Sequence, residues 1–159
     1  MIANKSGMSK EDLEEHMEKE GVEGEFVEME GEVKTVRDSA KYLDEPMTKI
    51  AKSLVFVVDG EEVLVFLSGN KQVDEDKLKE ITDAERCRIA SPEEVKEATG
   101  YEVGEVPPVG TGLEVVIDEY VMEMDEVYVG GGSKYYLVRM APEEIERNTE
   151  STVADVSRG

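Results

Sequence analysis

The sequence contains no tryptophan, one cysteine and one histidine among its 159 residues. The lone cysteine, Cys87, excludes an internal disulfide, and scarce cysteine is typical of proteins in a reducing compartment. No apolar run approaches the roughly 20 residues that span a bilayer, and the first residues have no apolar segment typical of a secretory signal. We therefore expect a cytoplasmic protein with no membrane partner.

The scarcity of histidine and cysteine also limits the kinds of active site that the chain can form. The histidine, His16, lies among Glu14, Glu15 and Glu18 on a helix that we expect to be exposed, so a catalytic role is not expected for it. One cysteine and one histidine are too few for the usual metal clusters, and we expect neither a metal nor another cofactor. The sequence also shows no pairing of a nucleophile with a base.

Charge of one sign dominates, because 39 acidic residues against 18 basic ones give a net charge of −21. Binding to nucleic acid depends on neutralising phosphates, so this acidity argues against a DNA partner. The segment 34–53 reverses the balance, with five basic residues against three acidic ones. The basic residues, here called the basic island, are Lys34, Arg37, Lys41, Lys49 and Lys52. The island either receives a polyanion or reflects chance clustering.

Helix and strand signals alternate without a regular order. Ser9, Thr35, Asp74 and Ser91 are predicted helix caps. The apolar runs 54–58 and 63–67 are joined through Asp59-Gly60, which predicts a hairpin. The runs 127–129 and 135–138 flank Gly130, Gly131 and Gly132 as a second hairpin, and 113–117 and 153–156 are further strands. We predict an α+β fold, a mixed, largely antiparallel sheet with helices packed on it, in a single domain over 1–159.

Lys52 is the first candidate for chemistry. It stands at the start of Leu54–Val58, a strand apolar enough to be buried. One interpretation is a lysine at a strand end that extends into water. The other is an ammonium facing a pocket, where it would attract an ester carbonyl, a phosphate or an amino-acid backbone. The sequence leaves both open.

The loop between Thr99 and Gly112 is the second candidate. It contains Gly104, Pro107, Pro108 and Gly110, so its backbone is unusual and stiff. Its remaining amides could hydrogen-bond an oxygen on which charge develops. An ordinary rigid connection is the equal alternative. The run Gly130–Gly132 lacks the following Lys-Ser/Thr of a phosphate-binding loop and fits a turn that leaves room for a ligand, or simply a turn.

These segments, taken in order, resemble the YbaK/ProX family of aminoacyl-tRNA deacylases, which act in trans or as insertions in prolyl-tRNA synthetases. The resemblance spans about residues 22–145, and each segment alone is weak whereas the ordered set is specific. The matching segments are 50–56 (Ile-Ala-Lys-Ser-Leu-Val-Phe), 90–95 (Ala-Ser-Pro-Glu-Glu-Val), 99–101, 104–110, 117–118 and 130–132.

The resemblance implies the roles of particular residues. Lys52 would orient the aminoacyl ester, backbone at Gly104 would hold the substrate carbonyl, and Asp118 would help shape the site. The other residues expected to bind substrate are Thr35, Val106, Pro107, Pro108, Gly110, Gly130, Gly131 and Gly132. Those expected to bind the acceptor end of tRNA are Lys34, Arg37, Lys41 and Lys49. Hydrolysis would depend on the terminal hydroxyl of the tRNA and a held water, which would explain the missing nucleophile–base pair.

The expected function is therefore editing in trans, the hydrolysis of a small amino acid such as Ala or Cys from proline tRNA, and a synthetase is a candidate partner. Thr35 lies about where cysteine-specific members have a tyrosine, which favours the prolyl-associated branch over removal of cysteine. Two alternatives remain open. The chain could bind tRNA or a synthetase without hydrolysis, or it could bind the carboxylate of a small metabolite.

Overall fold

The computed structural model describes residues 7–31 and 35–158 of the chain. The strands are β1 (Glu25–Glu28), β2 (Ala51–Val58), β3 (Glu61–Ser68), β4 (Cys87–Ile89), β5 (Glu114–Asp118), β6 (Val127–Ser133), β7 (Tyr136–Met140) and β8 (Ser151–Ala154). The helices are α1 (Lys10–Glu20), α2 (Val36–Leu43), α3 (Glu75–Thr82), α4 (Pro92–Thr99) and α5 (Pro142–Arg147). Short 3-10 turns at Met47–Lys49 and Glu119–Glu123 complete the described elements.

The strands form two sheets within the described residues. The larger has the order β4-β2-β3-β5-β8, and the smaller has the order β1-β7-β6. Pairing is antiparallel in the smaller sheet and between β2 and its two neighbours, while β5 runs parallel to both β3 and β8. The predicted mixed, largely antiparallel α+β fold is confirmed.

The helix starts follow from local hydrogen bonds. The Thr35 hydroxyl accepts from the backbone N–H of Asp38 at 3.0 Å, which caps α2. The Ser91 hydroxyl accepts from the N–H of Glu94 at 3.2 Å, and the Glu94 carboxylate accepts in return from the N–H of Ser91 at 2.9 Å. Each cap satisfies N–H groups that have no partner within their own helix. The predicted caps at both positions are confirmed.

The hairpin predicted at Asp59-Gly60 is also confirmed. Asp59 and Gly60 have φ angles of 47° and 84°, the left-handed conformation that a tight turn between two strands requires. The hairpin register places Lys52 opposite Leu67. The β2 strand therefore enters the middle of the larger sheet with Lys52 as its second residue.

The three consecutive glycines do not form the turn of the second hairpin, contrary to prediction. Gly130, Gly131 and Gly132 belong to β6, whose register shifts between Gly130 and Ser133, and the chain reverses before Tyr136. Close packing explains why glycine stands there. A Cβ on Gly131 would lie 2.5 Å from the carbonyl oxygen of Tyr136, closer than atoms approach without a shift of the backbone.

Three apolar clusters of the described residues hold the sheets and helices together, and the third contains Leu137. The larger cluster lies between the two sheets and contains Phe66, Ile117 and Val129, and the second lies beside α3 and contains Leu67 and Leu78. Burying each of these side chains stabilises the fold by roughly 1.5–3 kcal/mol relative to leaving it in water. Among the helices of residues 7–31 and 35–158, none has both the length and the apolar character needed to cross a membrane.

Candidate functional site

The candidate site opens at an uncovered stretch of the β2 edge. The β4 strand pairs with Phe56–Val58, and the N–H of Ala90 donates to the carbonyl of Val55 at 2.9 Å. Further along the same edge Ile50 bridges to Tyr128 of β6. Between these two contacts no described strand pairs with β2 on this side, and a cavity of about 460 Å³ lies there. We call this stretch, residues 51–54, the β2 gap.

Three further parts of the chain close the cavity around the β2 gap. The start of α2 forms one wall, the loop 103–106 forms another, and Gly130 and Lys134 of the second hairpin contribute the third. The cavity is lined by Thr35, Val36, Ser39, Ile50, Ala51, Lys52, Ser53, Leu54, Val55, Ile89, Ala90, Val95, Val103, Gly104, Glu105, Val106, Gly130, Lys134 and Leu137. Ile89 and Val103 are more than half exposed, at 55% and 54%, and so form an apolar rim.

Lys52 faces this cavity with a partly buried ammonium. Its Nζ donates to the carbonyl oxygen of Gly69 at 3.3 Å. Among the described residues, no carboxylate lies within ion-pairing distance of it. Burial lowers the pKa of the Lys52 ammonium below its ordinary value because water stabilises the charge less well there. Of the two interpretations that the sequence left open, the pocket-facing lysine therefore fits the structure.

Gly104 presents its backbone to the same cavity. Its φ angle of 88° lies in the left-handed region, which favours glycine. Within the described residues, its amide donates no backbone hydrogen bond, whereas the next amide, of Glu105, donates to the carbonyl of Glu102 at 3.0 Å. The Gly104 N–H is thus available to an oxygen bound in the cavity.

Strand β6 supports this loop from behind. The N–H of Gly132 donates to the carbonyl of Glu105 at 3.0 Å. A Cβ on Gly130 would lie 2.4 Å from the carbonyl oxygen of Val106, so only glycine lets the loop approach the strand this closely. The glycines of β6 therefore position the backbone around Gly104, and of the three only Gly130 lines the cavity itself.

The structure brings together five of the residues predicted to act on substrate, which are Lys52, Gly104, Thr35, Val106 and Gly130. The remaining loop residues lie beside the cavity without lining it. Pro107 and Pro108 are buried in the chain behind the loop. Gly110, with a φ of 79°, packs against the ring of His16, where an added Cβ would lie 3.0 Å from Cδ2. These three residues shape the loop from its inner side.

Asp118 lies elsewhere, at the end of β5. It is almost completely buried, and its Oδ1 accepts from the N–H of Val156 at 3.0 Å. Its Oδ2 is buried without a hydrogen-bond partner in the described part of the chain. The parallel pairing of β5 with β8 places Asp118 beside the C-terminal segment, and it does not line the cavity.

The basic island is divided by the structure. Arg37 and Lys41 are exposed on α2, one turn apart, on the helix whose first turn lines the cavity. The Nζ of Lys49 lies 4.0 Å from Oε1 of Glu45, so its charge is partly balanced. Lys34 lies outside the described residues. Arg37 and Lys41 therefore lie on the helix that contributes to the cavity wall, without lining the cavity themselves.

Among the residues of the site that sequence reasoning missed, three carry polar groups close to Lys52 or Gly104. Gly69 accepts the hydrogen bond of Lys52, and the Ser53 hydroxyl oxygen is buried in the cavity wall with no described partner. Glu105 adds a carboxylate to the walls. Ser53 follows Lys52 and Glu105 follows Gly104 in the sequence. Their position next to predicted site residues is the signal that could have identified them. Gly69 is brought to Lys52 only by the hairpin register, in which Ala51 pairs with Ser68.

The pH dependence of stability tests the burial of Lys52. A lowered pKa means that the folded protein releases this proton before the unfolded chain does, so stability rises with pH between the folded pKa and the ordinary 10.5. We expect the difference in free energy of unfolding in urea, wild type minus Lys52→Met, to rise as the pH approaches 10.5 from below. Burial raises the pKa of Tyr101 to about 12. Because wild type and variant both contain Tyr101, its contribution to the pH dependence cancels in the difference. A flat difference would mean that Lys52 is fully hydrated.

Comparison with known proteins shows which family the chain resembles. Residues 30–147 match the sequence model of the aminoacyl-tRNA editing domain. The proline–tRNA ligase of Lactobacillus acidophilus is 38% identical over 109 residues, which are 67% of this chain and 19% of that enzyme. The proline–tRNA ligase of Desulfotalea psychrophila is 37% identical over 109 residues, again 68% of this chain and 19% of the enzyme. The chain thus corresponds to about a fifth of these relatives.

A solved structure extends the likeness to the whole chain. A protein described as a candidate trans-editing enzyme for prolyl tRNA synthetase superposes with a TM-score of 0.87 at 31% identity, over 100% of both chains. With the match to the family model, this shows that the chain belongs to the aminoacyl-tRNA editing domain family. The resemblance noted from the sequence is confirmed.

Proposed function

We propose that this protein is a trans-acting deacylase that hydrolyses a small amino acid, such as alanine or cysteine, from mischarged proline tRNA in the cytoplasm. The observation that carries the proposal is the meeting of the Lys52 ammonium and the Gly104 amide in one cavity, neither engaged by an anion within the described residues. Both groups suit an ester carbonyl whose oxygen becomes negative during hydrolysis. The likeness to a described trans-editing protein supports the same substrate class.

In the proposed reaction, a water oxygen attacks the ester carbonyl carbon while Lys52 and the Gly104 N–H stabilise the oxyanion. Collapse of this intermediate breaks the bond to the ribose oxygen and releases the amino acid and tRNA with a free terminal hydroxyl. The cavity walls contain no histidine or cysteine among the residues described. As the family resemblance implies, we assign the orientation of the water to the neighbouring ribose hydroxyl of the tRNA.

Size is the proposed basis of selection between amino acids. A synthetase separates amino acids that differ by one methylene by only about 1–3 kcal/mol, so some errors need a second site to remove them. The walls of this cavity are largely apolar, and Gly130 leaves no side chain beside the loop. A second sieve of this kind accepts a residue smaller than the correct one and excludes the correct one.

A panel of charged tRNAs tests the proposal. Release of the amino acid is measured from alanyl-, cysteinyl- and prolyl-tRNA specific for proline, with alanyl-tRNA specific for alanine as the control for the tRNA. We expect fast release from one mischarged proline tRNA, while prolyl-tRNA stays intact. No release from any of them at low or high salt would contradict hydrolysis, and would favour a non-catalytic tRNA or synthetase partner, or a metabolite carboxylate.

The salt dependence of tRNA binding tests the basic island. Each phosphate contact contributes about 0.7–0.9 to the slope of log K against log salt concentration. We expect the double variant Arg37→Gln/Lys41→Gln to lower that slope by about 1.5 for uncharged proline tRNA, measured by filter binding. Lys79→Gln on α3, whose ammonium pairs with Asp76 at 3.3 Å, is the matched control and should leave the slope unchanged. An unaltered slope in the double variant would show that α2 does not contact phosphate.

A further inference from the structure

Two opposite charges on the cavity walls form no ion pair within the described residues, although Lys134 lines the same cavity. Lys52 and Glu105 both line it, one from β2 and the other from the loop beside Gly104. In residues 7–31 and 35–158, neither side chain forms an ion pair with the other or with a third residue. The nearby carboxylate of Glu102, by contrast, is balanced by Lys96 at 3.2 Å. An unbalanced pair of charges in one cavity is suited to a ligand that supplies both countercharges.

The position of Glu105 is well determined by its backbone. Its N–H donates to the carbonyl of Glu102 and its carbonyl accepts from the N–H of Gly132, each at 3.0 Å. The side chain is partly buried and its carboxylate accepts no hydrogen bond from any described residue. A ligand that displaces water from this carboxylate would need to bring a cation, because a desolvated charge without a partner is costly.

The groups around Glu105 are consistent with a carboxylate that has no hydrogen-bond partner among the described residues. Burial raises the pKa of the Glu105 carboxyl, and the charge of Glu102 acts in the same direction, while Lys134 and Lys96 oppose them. The two lysines thus favour the charged form of the carboxyl, although neither forms a hydrogen bond with it among the described residues. A positive group on the ligand would balance the negative charge of the Glu105 carboxylate.

We propose that Glu105 accepts the α-ammonium group of the aminoacyl ester while Lys52 holds its carbonyl. This inference rests on the proposed function and names how the site recognises its substrate. An α-amino acyl ester carries an ammonium and a carbonyl joined through one carbon, which matches two opposite charges on the walls of one small cavity.

The consequence is selectivity for a free amino group. When the nitrogen of the ester is acylated, as in peptidyl-tRNA, it has no charge, and binding would bury Glu105 without a partner. Sites built to bond a polar group reject ligands that lack it by large factors, up to about 10⁴–10⁵. Glu105 would therefore prevent the enzyme from cleaving peptidyl-tRNA while it removes single amino acids.

Hydrolysis and binding test this inference separately. The hydrolytic arm compares kcat/KM for alanyl- and N-acetylalanyl-tRNA specific for proline. The binding arm compares the affinities of adenosine analogues carrying alanine or N-acetylalanine through an amide at the 3′ position, which cannot be hydrolysed as esters. Wild type, Glu105→Gln and the control Glu102→Gln are measured in both arms. Glu102 lies on the same loop but is exposed and paired with Lys96.

We expect wild type and Glu102→Gln to prefer the free amine at least tenfold in both arms, and Glu105→Gln to lose most of that preference. Equal affinity of wild type for the two analogues, no binding of either, or an unchanged preference in Glu105→Gln would overturn the inference. Binding with this preference but without hydrolysis would support the inference and overturn the deacylase. Hydrolysis of both esters at equal rates would leave the deacylase standing and overturn the role of Glu105.

Discussion

Replacing Lys52 with methionine is expected to lower kcat/KM for the mischarged tRNA by about 10²–10³-fold, the usual effect of removing one oxyanion donor. The ammonium is partly desolvated and has no carboxylate partner among the described residues, so its attraction for a developing oxyanion is weakly screened. Methionine retains much of the side-chain volume and needs no hydration. The variant should therefore be as stable as wild type or more stable, even as it loses activity.

Deacylation kinetics and thermal unfolding, measured on the same samples, separate the two effects. Lys79→Met removes one positive charge from α3, away from the cavity, and serves as the control for net charge. Lys52→Arg keeps the charge but changes its geometry, so it should recover only part of the activity. Full activity in Lys52→Met would show that the carbonyl is held by backbone alone.

Gly130→Ala is expected to reduce activity by about 10²-fold, the cost of misplacing a reacting group by roughly 1 Å. The added methyl would lie 2.4 Å from the carbonyl oxygen of Val106, and no flexible side chain can move aside to relieve that contact. The loop must therefore shift away from β6, carrying Gly104 with it. Overpacking of this kind also costs about 1–3 kcal/mol of stability.

Gly60→Ala provides the matched control for Gly130→Ala. Gly60 has a φ of 84° and no atom within 4 Å of an added Cβ, so the substitution strains the hairpin turn without touching the cavity. It should lower stability by about 1–2 kcal/mol and leave kcat/KM unchanged at temperatures where the protein is folded. Equal losses of activity in the two variants would mean that the Gly130 effect comes from stability rather than from the position of Gly104.

Local sequence signals predicted much of the fold. The caps at Thr35 and Ser91 depend on residues three apart, and the Asp59-Gly60 hairpin depends on two adjacent residues. Lys52 was placed on a strand for the same reason, since an apolar run follows it directly. Interactions within a few residues can be read from the chain because no distant partner decides them.

The cavity could not be derived from local signals. Its walls come from parts of the chain far apart in sequence, and only the resemblance to a known family brought Lys52 and Gly104 together. The glycines of β6 illustrate why local signals fail. Three consecutive glycines suggest a turn, but they lie within the strand because the backbones of Val106 and Tyr136 approach too closely for a side chain. For Asp118, the parallel pairing with β8 determined a place that no nearby residue indicates. Its role, like the single domain over 1–159, stays a prediction.

The β2 gap has a cause in the start of α4. Continuing the register of β4 beyond Ala90 would place Pro92 opposite Ser53, and proline has no N–H to donate to that strand. Ser91 meanwhile turns the chain into a helix. An uncovered strand edge usually invites another strand and leads to aggregation, but this one is short and recessed between α2 and the loop 103–106. The residues that begin α4 thus leave this edge of β2 unpaired. The unpaired edge is open to a small molecule but too confined for another strand.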